Sequence, residues 1–295
     1  LRRTKTDKID AKTIALYLMT VDYKVYPLKS YHLWNLKSLC RSRDSLVKER
    51  SLQLVKLTNV LELIFPEFKP FFNKSLKSST ALYLLENYGI PSKIARLTKE
   101  SYSKMKSKLH KTISYAKFVE LKELAKNTVG FSYETDLFEI KSLLKVYDTL
   151  EEEISLVENE ITTHMSKINS HIPSILGIGM VSAATIIAEI EDISRFDNPD
   201  KLLAFAGLDP RFYQSGMSEH KGRMNKKGSV VLRRVLMNCA ESILMYNPAF
   251  YTYYRKKRDE GKSHRVAISH VARKLVRIIY KLETEHIDFD LSLIK

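Results

Sequence analysis

The chain has 295 residues, with 49 Lys and Arg against 34 Asp and Glu and a formal charge of +15. Apolar residues make up 44%, enough to fill a core, which excludes wholesale disorder. Nine glycines and eight prolines are about half the usual share, which excludes an all-β barrel or sandwich with its turn signal every ~8–12 residues. The length suits two or three domains. Cys40 and Cys239 lie far apart and outside any CxxC, against a disulfide scaffold or a structural zinc site. No apolar run approaches the roughly 18 residues of a membrane span, and no stretch reads as a secretory signal. The chain starts at Leu1 inside a basic stretch, without an initiator Met, and the expectation is that part of a longer protein precedes it.

Residues Lys5–Tyr17 read as a helix with Thr6 as N-cap and apolar positions at Ile9, Ile14 and Leu16. Tyr23–Leu28 is short and β-prone. Tyr31–Ile64 carries a long helical pattern through Leu36, Leu39, Leu46 and Leu57, and Pro66 stops it. Residues 67–130 read as shorter helices with breaks near Pro91 and Gly130. Ile140, Tyr147, Ile154, Ile161 and Ile168 then recur every seven residues, with Leu143, Leu150, Val157 and His164 on the second seam. This predicts a coiled coil over about 137–168 and self-association to bury the seam. The alternative is an amphipathic helix packed within the same chain. His164 reads as a register-setting polar residue rather than a metal ligand.

Seven of the nine glycines lie beyond Ser170, and a domain boundary is placed at about His171–Ser174. Charge is sorted the same way. Residues 211–274 hold 15 Lys and Arg against 4 Asp and Glu, whereas 131–170 hold 9 acidic and 3 basic residues. A dedicated cationic region suits a polyanion, and DNA, RNA and an anionic membrane surface are the candidates.

Four constellations can carry chemistry. Asp7 and Asp10, three apart, place two carboxylates on one helix face. They can hold Mg²⁺ or merely complement the helix dipole. Leu176-Gly177-Ile178-Gly179 before a small-residue helix reads as a helix-hairpin-helix, whose backbone N–H groups at Gly177 and Gly179 can bind phosphate, or as a tight turn without a ligand. Ser215, beside Gly216 in a segment with Lys221, Arg223, Lys226, Lys227, Arg233 and Arg234, can be a nucleophile whose phosphate is held by cations, or a polar loop residue. Tyr251–Tyr254 with Arg255, Lys256 and the cations that follow suits stacking and phosphate contact, or a core helix with a solvated basic face.

Together these residues resemble a known family. Lys5-Thr6-Asp7-Lys8-Ile9-Asp10-Ala11 resembles the KTDxxDA signature of the DEDD insertion-sequence transposases, relatives of the Piv DNA invertases. Leu176–Gly179, Phe205–Pro210, Ser215-Gly216, Lys221–Arg223, Asn247–Phe250, Gly261-Lys262 and Ala272–Leu275 follow in that family's order. The resemblance implies a mainly α protein in three parts. Residues 1–70 would be the C-terminal remnant of a RuvC-like, RNase H-type α/β domain, 71–170 a helical linker with the coiled coil, and 171–295 a helical transposase domain. It implies a transposase or site-specific recombinase that cleaves and rejoins DNA. Ser215 would be the nucleophile, and Asp7 and Asp10 would be part of a Mg²⁺-binding acidic quartet. It further implies a structured guide RNA, a homo-oligomer (dimer or tetramer), no membrane partner, and action in the cytoplasm at the nucleoid. The first two carboxylates of the quartet are absent from the sequence. A non-catalytic nucleic-acid-binding remnant and a metal-only junction resolvase are therefore the competing readings.

Overall fold

The computed structural model describes residues 7–20, 31–73, 75–215 and 218–291. Helix α1 (Asp7–Thr20) forms where the sequence places it, and all its residues are exposed. Its expected cap, Thr6, and the β-prone Tyr23–Leu28 lie outside the described residues. Helix α2 (Tyr31–Ile64) has the bounds read from the sequence, with Pro66 just past its end.

Five short helices follow: α3 (Phe68–Phe71), α4 (Ser79–Asn87), α5 (Pro91–Ile94), α6 (Lys99–Lys108) and α7 (Tyr115–Lys126). Their starts are locally encoded. The Ser78 hydroxyl accepts from Ala81 N, Ser114 from Lys117 N, and Thr98 with Ser101 forms a capping box. The expected break near Pro91 falls between α4 and α5, and Pro91 opens α5 at its first position, where no N–H is needed. At Gly130 the chain crosses the end of α2 so closely that a Cβ would strike the Ile64 carbonyl. There Phe131 N donates to Leu63 O at 3.2 Å.

Helix α8 (Glu134–Met165) runs back antiparallel along α2. Arg43 pairs with Glu158 at 2.7 Å and Arg50 with Glu151 at 2.8 Å, which fixes the register. The heptad residues Ile140, Tyr147, Ile154 and Ile161 are buried in this pair. The seam expected to need a second copy is thus covered by α2 of the same chain, so the heptads supply no argument for self-association. Ile168 falls beyond the helix end, and His164 is half-buried on the flank.

Two cores result. One joins the C-terminal half of α2 and the start of α8 to α3–α7, around Leu57, Phe65, Phe68, Leu84 and Phe118. The other joins the N-terminal half of α2 and the end of α8 to the helices that follow residue 171. That C-terminal part comprises α9 (Met180–Ile190), α10 (Pro199–Phe205), a hairpin of β1 (Pro210–Ser215) and β2 (Ser218–Met224), then α11 (Val230–Tyr246), α12 (Pro248–Asp259) and α13 (His264–Glu285). Helix α13 lies at its centre, with Ala267, Ile268, Val271, Leu275 and Ile279 fully buried.

Two expectations change here. The element before the Gly177–Gly179 turn is a single 3₁₀ turn (Ile172–Ser174) containing Pro173, not a helix paired with α9 as a helix-hairpin-helix requires. Among the described residues the only sheet is the two-stranded hairpin, so the described part of 1–70 contains helix and no α/β layer.

Candidate active site

The segment around Ser215, a loop by its sequence, forms a hairpin. Ser215 is the last residue of β1 and is paired with Ser218. Further down the ladder Gln214 faces Glu219 and Phe212 faces Lys221, with an irregularity between Pro210 and Phe212. Arg223 lies on β2 near the root. Ser215 therefore stands at the turn end of a ribbon whose second strand carries Lys221 and Arg223.

The root is fixed on the helices. Asn225 N donates to Asp209 O and Ser229 N to Phe205 O, both at 2.8 Å. The Arg233 guanidinium donates to the Lys226 carbonyl at 3.2 Å. Lys226 and Lys227 are exposed in the link to α11. Ser229 caps α11 by accepting from Leu232 N, and donates its hydroxyl to Glu189 Oε2 at 2.9 Å. Glu189, on α9, is 3% exposed. Its Oε1 accepts from both Nε and Nη2 of Arg41 on α2, at 3.1 Å each. Glu189 thus joins three elements beneath the hairpin.

Two further ion pairs extend this junction. Lys37 Nζ lies 2.7 Å from Glu191 Oε1, and Arg234 lies 2.6 Å from Asp44. Lys37, Arg41 and Asp44 are spaced four and three apart, which sets them on one face of α2. Glu191 caps α9 at φ +63°, a left-handed value that a glutamate adopts at a cost. Its carboxylate is buried between Lys37 and Arg195, and Arg195 lies over the rings of Phe196 and Phe205. Burial raises the pKa of Asp44, but the hydrogen bonds from Arg234 and Lys48 outweigh it and hold the carboxyl below its ordinary value. Arg233 and Arg234, read as phosphate contacts, are thus both engaged within the protein.

Gly177 has φ +100°, and a Cβ there would lie 2.9 Å from Ile243 Cα, so the turn is pressed onto α11. Gly179 is exposed at the N-cap of α9, with open space around it. Arg255 and Lys256 are exposed on α12. Cation density there is felt by the partly buried groups. His270 is lowered by burial and then by Arg273, Lys257 and Lys262, and Lys274 is lowered by burial and then by Lys256.

Asp7 and Asp10 are exposed in the first turn of α1. Their oxygens are chemically suited to Mg²⁺, but they supply two ligands of the roughly six it takes. Among the described residues no group of three or more His, Cys, Asp or Glu is placed to hold a metal. The described residues do not make up a Mg²⁺ site.

Sequence reading missed Glu189, Arg41, Glu191 and Arg195. A signal was present: Glu189 is the one charged residue in the largely apolar run from Val181 to Ile190, and a charge in such a run needs a partner.

With this geometry in hand, comparison with known proteins is specific. Residues 169–255, which hold the hairpin and its supports, match the transposase IS116/IS110/IS902 family. Residues 1–66 match a second transposase family, of the DEDD type found in IS110. The chain is 24% identical over 293 residues to the insertion element IS110 uncharacterized 43.6 kDa protein of Streptomyces coelicolor, covering 94% of this chain and 70% of that one. It is 25% identical over 249 residues to the transposase for insertion sequence element IS1111A of Coxiella burnetii, covering 83% and 57%. It is 32% identical over 123 residues to the pilin gene-inverting protein of Moraxella bovis, covering 41% and 38%. These matches define the class, a DNA transposase. Both family matches point to one lineage, the IS110/IS116/IS902 transposases, which residues 1–66 and 169–255 resemble. Among the described residues no helix is long and apolar enough to cross a membrane.

Proposed function

We propose that this chain cleaves and rejoins DNA strands with Ser215 as nucleophile. The observation that carries the reading is the place of Ser215, the last paired residue of a ribbon with Lys221 and Arg223 on its second strand and Lys226 and Lys227 beyond its root. Attack forms an Oγ–P bond while one P–O bond to the sugar breaks. The leaving oxygen takes up a proton in place of the one the serine gives up. Cations hold the phosphate and offset the charge that builds on its oxygens. The product is a protein–DNA phosphoserine, which the freed strand end later resolves.

In the same proposal Asp7 and Asp10 contribute to a Mg²⁺ site together with carboxylates beyond those described. A structured RNA selects the DNA, and two or more copies assemble on it. The exposed N-terminus of α9 behind Gly177 and Gly179 contacts a phosphate, and Arg255 and Lys256 contribute to the same basic surface.

The test is a denaturing gel with end-labelled target DNA, Mg²⁺ and the element's RNA. A covalent adduct lost in Ser215→Ala is expected, and an adduct that survives Ser215→Ala refutes the nucleophile. Cutting that persists in Ser215→Ala but fails in Asp10→Asn would indicate a metal-only junction resolvase. Salt-sensitive binding without cleavage under any metal would indicate a non-catalytic nucleic-acid-binding protein.

A further inference from the structure

We infer that the outward face of α12 is a base-stacking platform for an unpaired nucleic-acid strand. The inference rests on the nucleic-acid reading above and makes it narrower. Tyr251, Tyr254, Arg255 and Arg258 stand at spacings of three, four and seven on α12, which puts two rings and two guanidinium groups on one helix face. The opposite face already serves the core, where Phe250 is fully buried and Tyr253 lies beneath Lys274 and Lys257 at 4.6 and 5.5 Å from its ring centre. Packing therefore accounts for Phe250 and Tyr253, and in part for Tyr254, which is half-buried against the same core, but not for Tyr251.

Tyr251 is 47% exposed, and its ring centre lies 6.3 Å from that of Tyr254. The Tyr254 ring is oriented by a hydrogen bond of 2.9 Å between its hydroxyl and His264 Nδ1, and the His264 ring meets it edge-on at 5.8 Å. Arg258 is held at the helix end by donating to the Lys262 carbonyl at 2.7 Å, and Arg255 is exposed. A short row of oriented aromatic rings on a cationic helix offers π-faces to bases and charge to the backbone between them. That combination suits a single strand and is indifferent to base identity. A duplex keeps its bases stacked on one another, so it would use the cations and ignore the rings.

The experiment measures anisotropy of three labelled probes of equal length with the full chain: an oligo-dT strand, the same strand with abasic sugars, and a duplex. The abasic strand keeps the phosphates and lacks the rings. Wild type should bind oligo-dT more tightly than the abasic strand. Tyr251→Ala and Tyr254→Ala should each weaken oligo-dT binding roughly tenfold, by the usual effect of losing one stacked base. Both should leave the abasic strand and the duplex within about twofold, and the salt slope unchanged. Tyr254→Phe, which keeps the ring, should retain most of the affinity. Leu at both positions keeps apolar bulk if the alanine variants melt early, and it should lose oligo-dT binding in the same way. Equal losses on all three probes, or no loss on oligo-dT, overturn the platform alone. Failure of the wild-type chain to bind any probe overturns both the platform and the nucleic-acid reading beneath it.

Discussion

Replacing Glu189 by alanine tests whether the junction beneath the hairpin is held as its geometry implies. Three hydrogen bonds to the carboxylate are lost, two from Arg41 and one from Ser229. Buried, charge-assisted bonds of this kind contribute ~1.5–3 kcal/mol. The Arg41 side chain is 57% exposed, so it regains water and its part falls towards the ~0.2–1 kcal/mol of a surface pair. The half-buried Ser229 hydroxyl keeps its role as acceptor for Leu232 N but loses its own acceptor, at about 1 kcal/mol. The emptied side-chain volume adds a similar amount. The sum is about 2–3 kcal/mol, to be read as a lower urea midpoint at constant slope. A double-mutant cycle with Arg41→Ala should give a coupling of about 0.5–1 kcal/mol. A loss below about 0.5 kcal/mol, or strict additivity with Arg41→Ala, would refute the view that Glu189 ties α2 to the hairpin root.

Other outcomes follow from the same packing. Ile154→Ala in the α2–α8 seam should cost ~2–5 kcal/mol in urea unfolding, whereas Leu156→Ala, at a position 60% exposed, should stay within about 0.5 kcal/mol. Gly177→Ala should destabilise by roughly 2 kcal/mol, because its φ is +100° and Ile243 blocks the Cβ, while Gly179→Ala should be nearly neutral at its open position. Asp44 has its carboxyl held below the ordinary range, so its stabilisation is complete above the unfolded carboxyl's pKa, near 4, and is lost as pH falls through the lower folded value. Melting curves from pH 6 to pH 3 should accordingly show a shallower acid limb for Asp44→Asn than for the parent chain, and an unchanged limb would remove that role. Burial pushes the thiols of Cys40 and Cys239 up to about 11. Both should be silent to a thiol reagent at pH 8 and react together in urea, and a fast-reacting thiol in the native protein would contradict their burial.

The bounds of α2 were legible because a long 3.6-residue pattern ends at a proline, a purely local signal. The heptads of α8 announced a seam but not its cover. Spacing tells that a stripe must be buried and is silent on which helix buries it, and here the cover comes from more than 90 residues away, through Arg43–Glu158 and Arg50–Glu151. The hairpin escaped because its strands are polar and mixed in sequence, without the apolar and polar alternation that marks a strand. Ser215 stood out only through its cationic neighbourhood and the family's motif order. The Glu189–Arg41 pair joins positions 148 residues apart, and no local pattern could have matched them.

Antiparallel packing of α2 and α8 has a topological consequence. The chain leaves one at Ile64 and rejoins the other at Glu134, at the same end of the pair, and Phe131 N closes the gap on Leu63 O. Everything between is an excursion that starts and finishes at one doorway. The entropy of closing such an excursion grows only with the logarithm of its length. Adding or removing residues in its links therefore costs little in closure entropy, while its helices stay tied to the adjoining ends of α2 and α8 through the core they share around Leu57, Phe65 and Leu84. The two family matches fall on either side of this excursion, at 1–66 and 169–255. The architecture thus hangs the helices between the two matches on one end of a helix pair whose other end packs on the C-terminal helices.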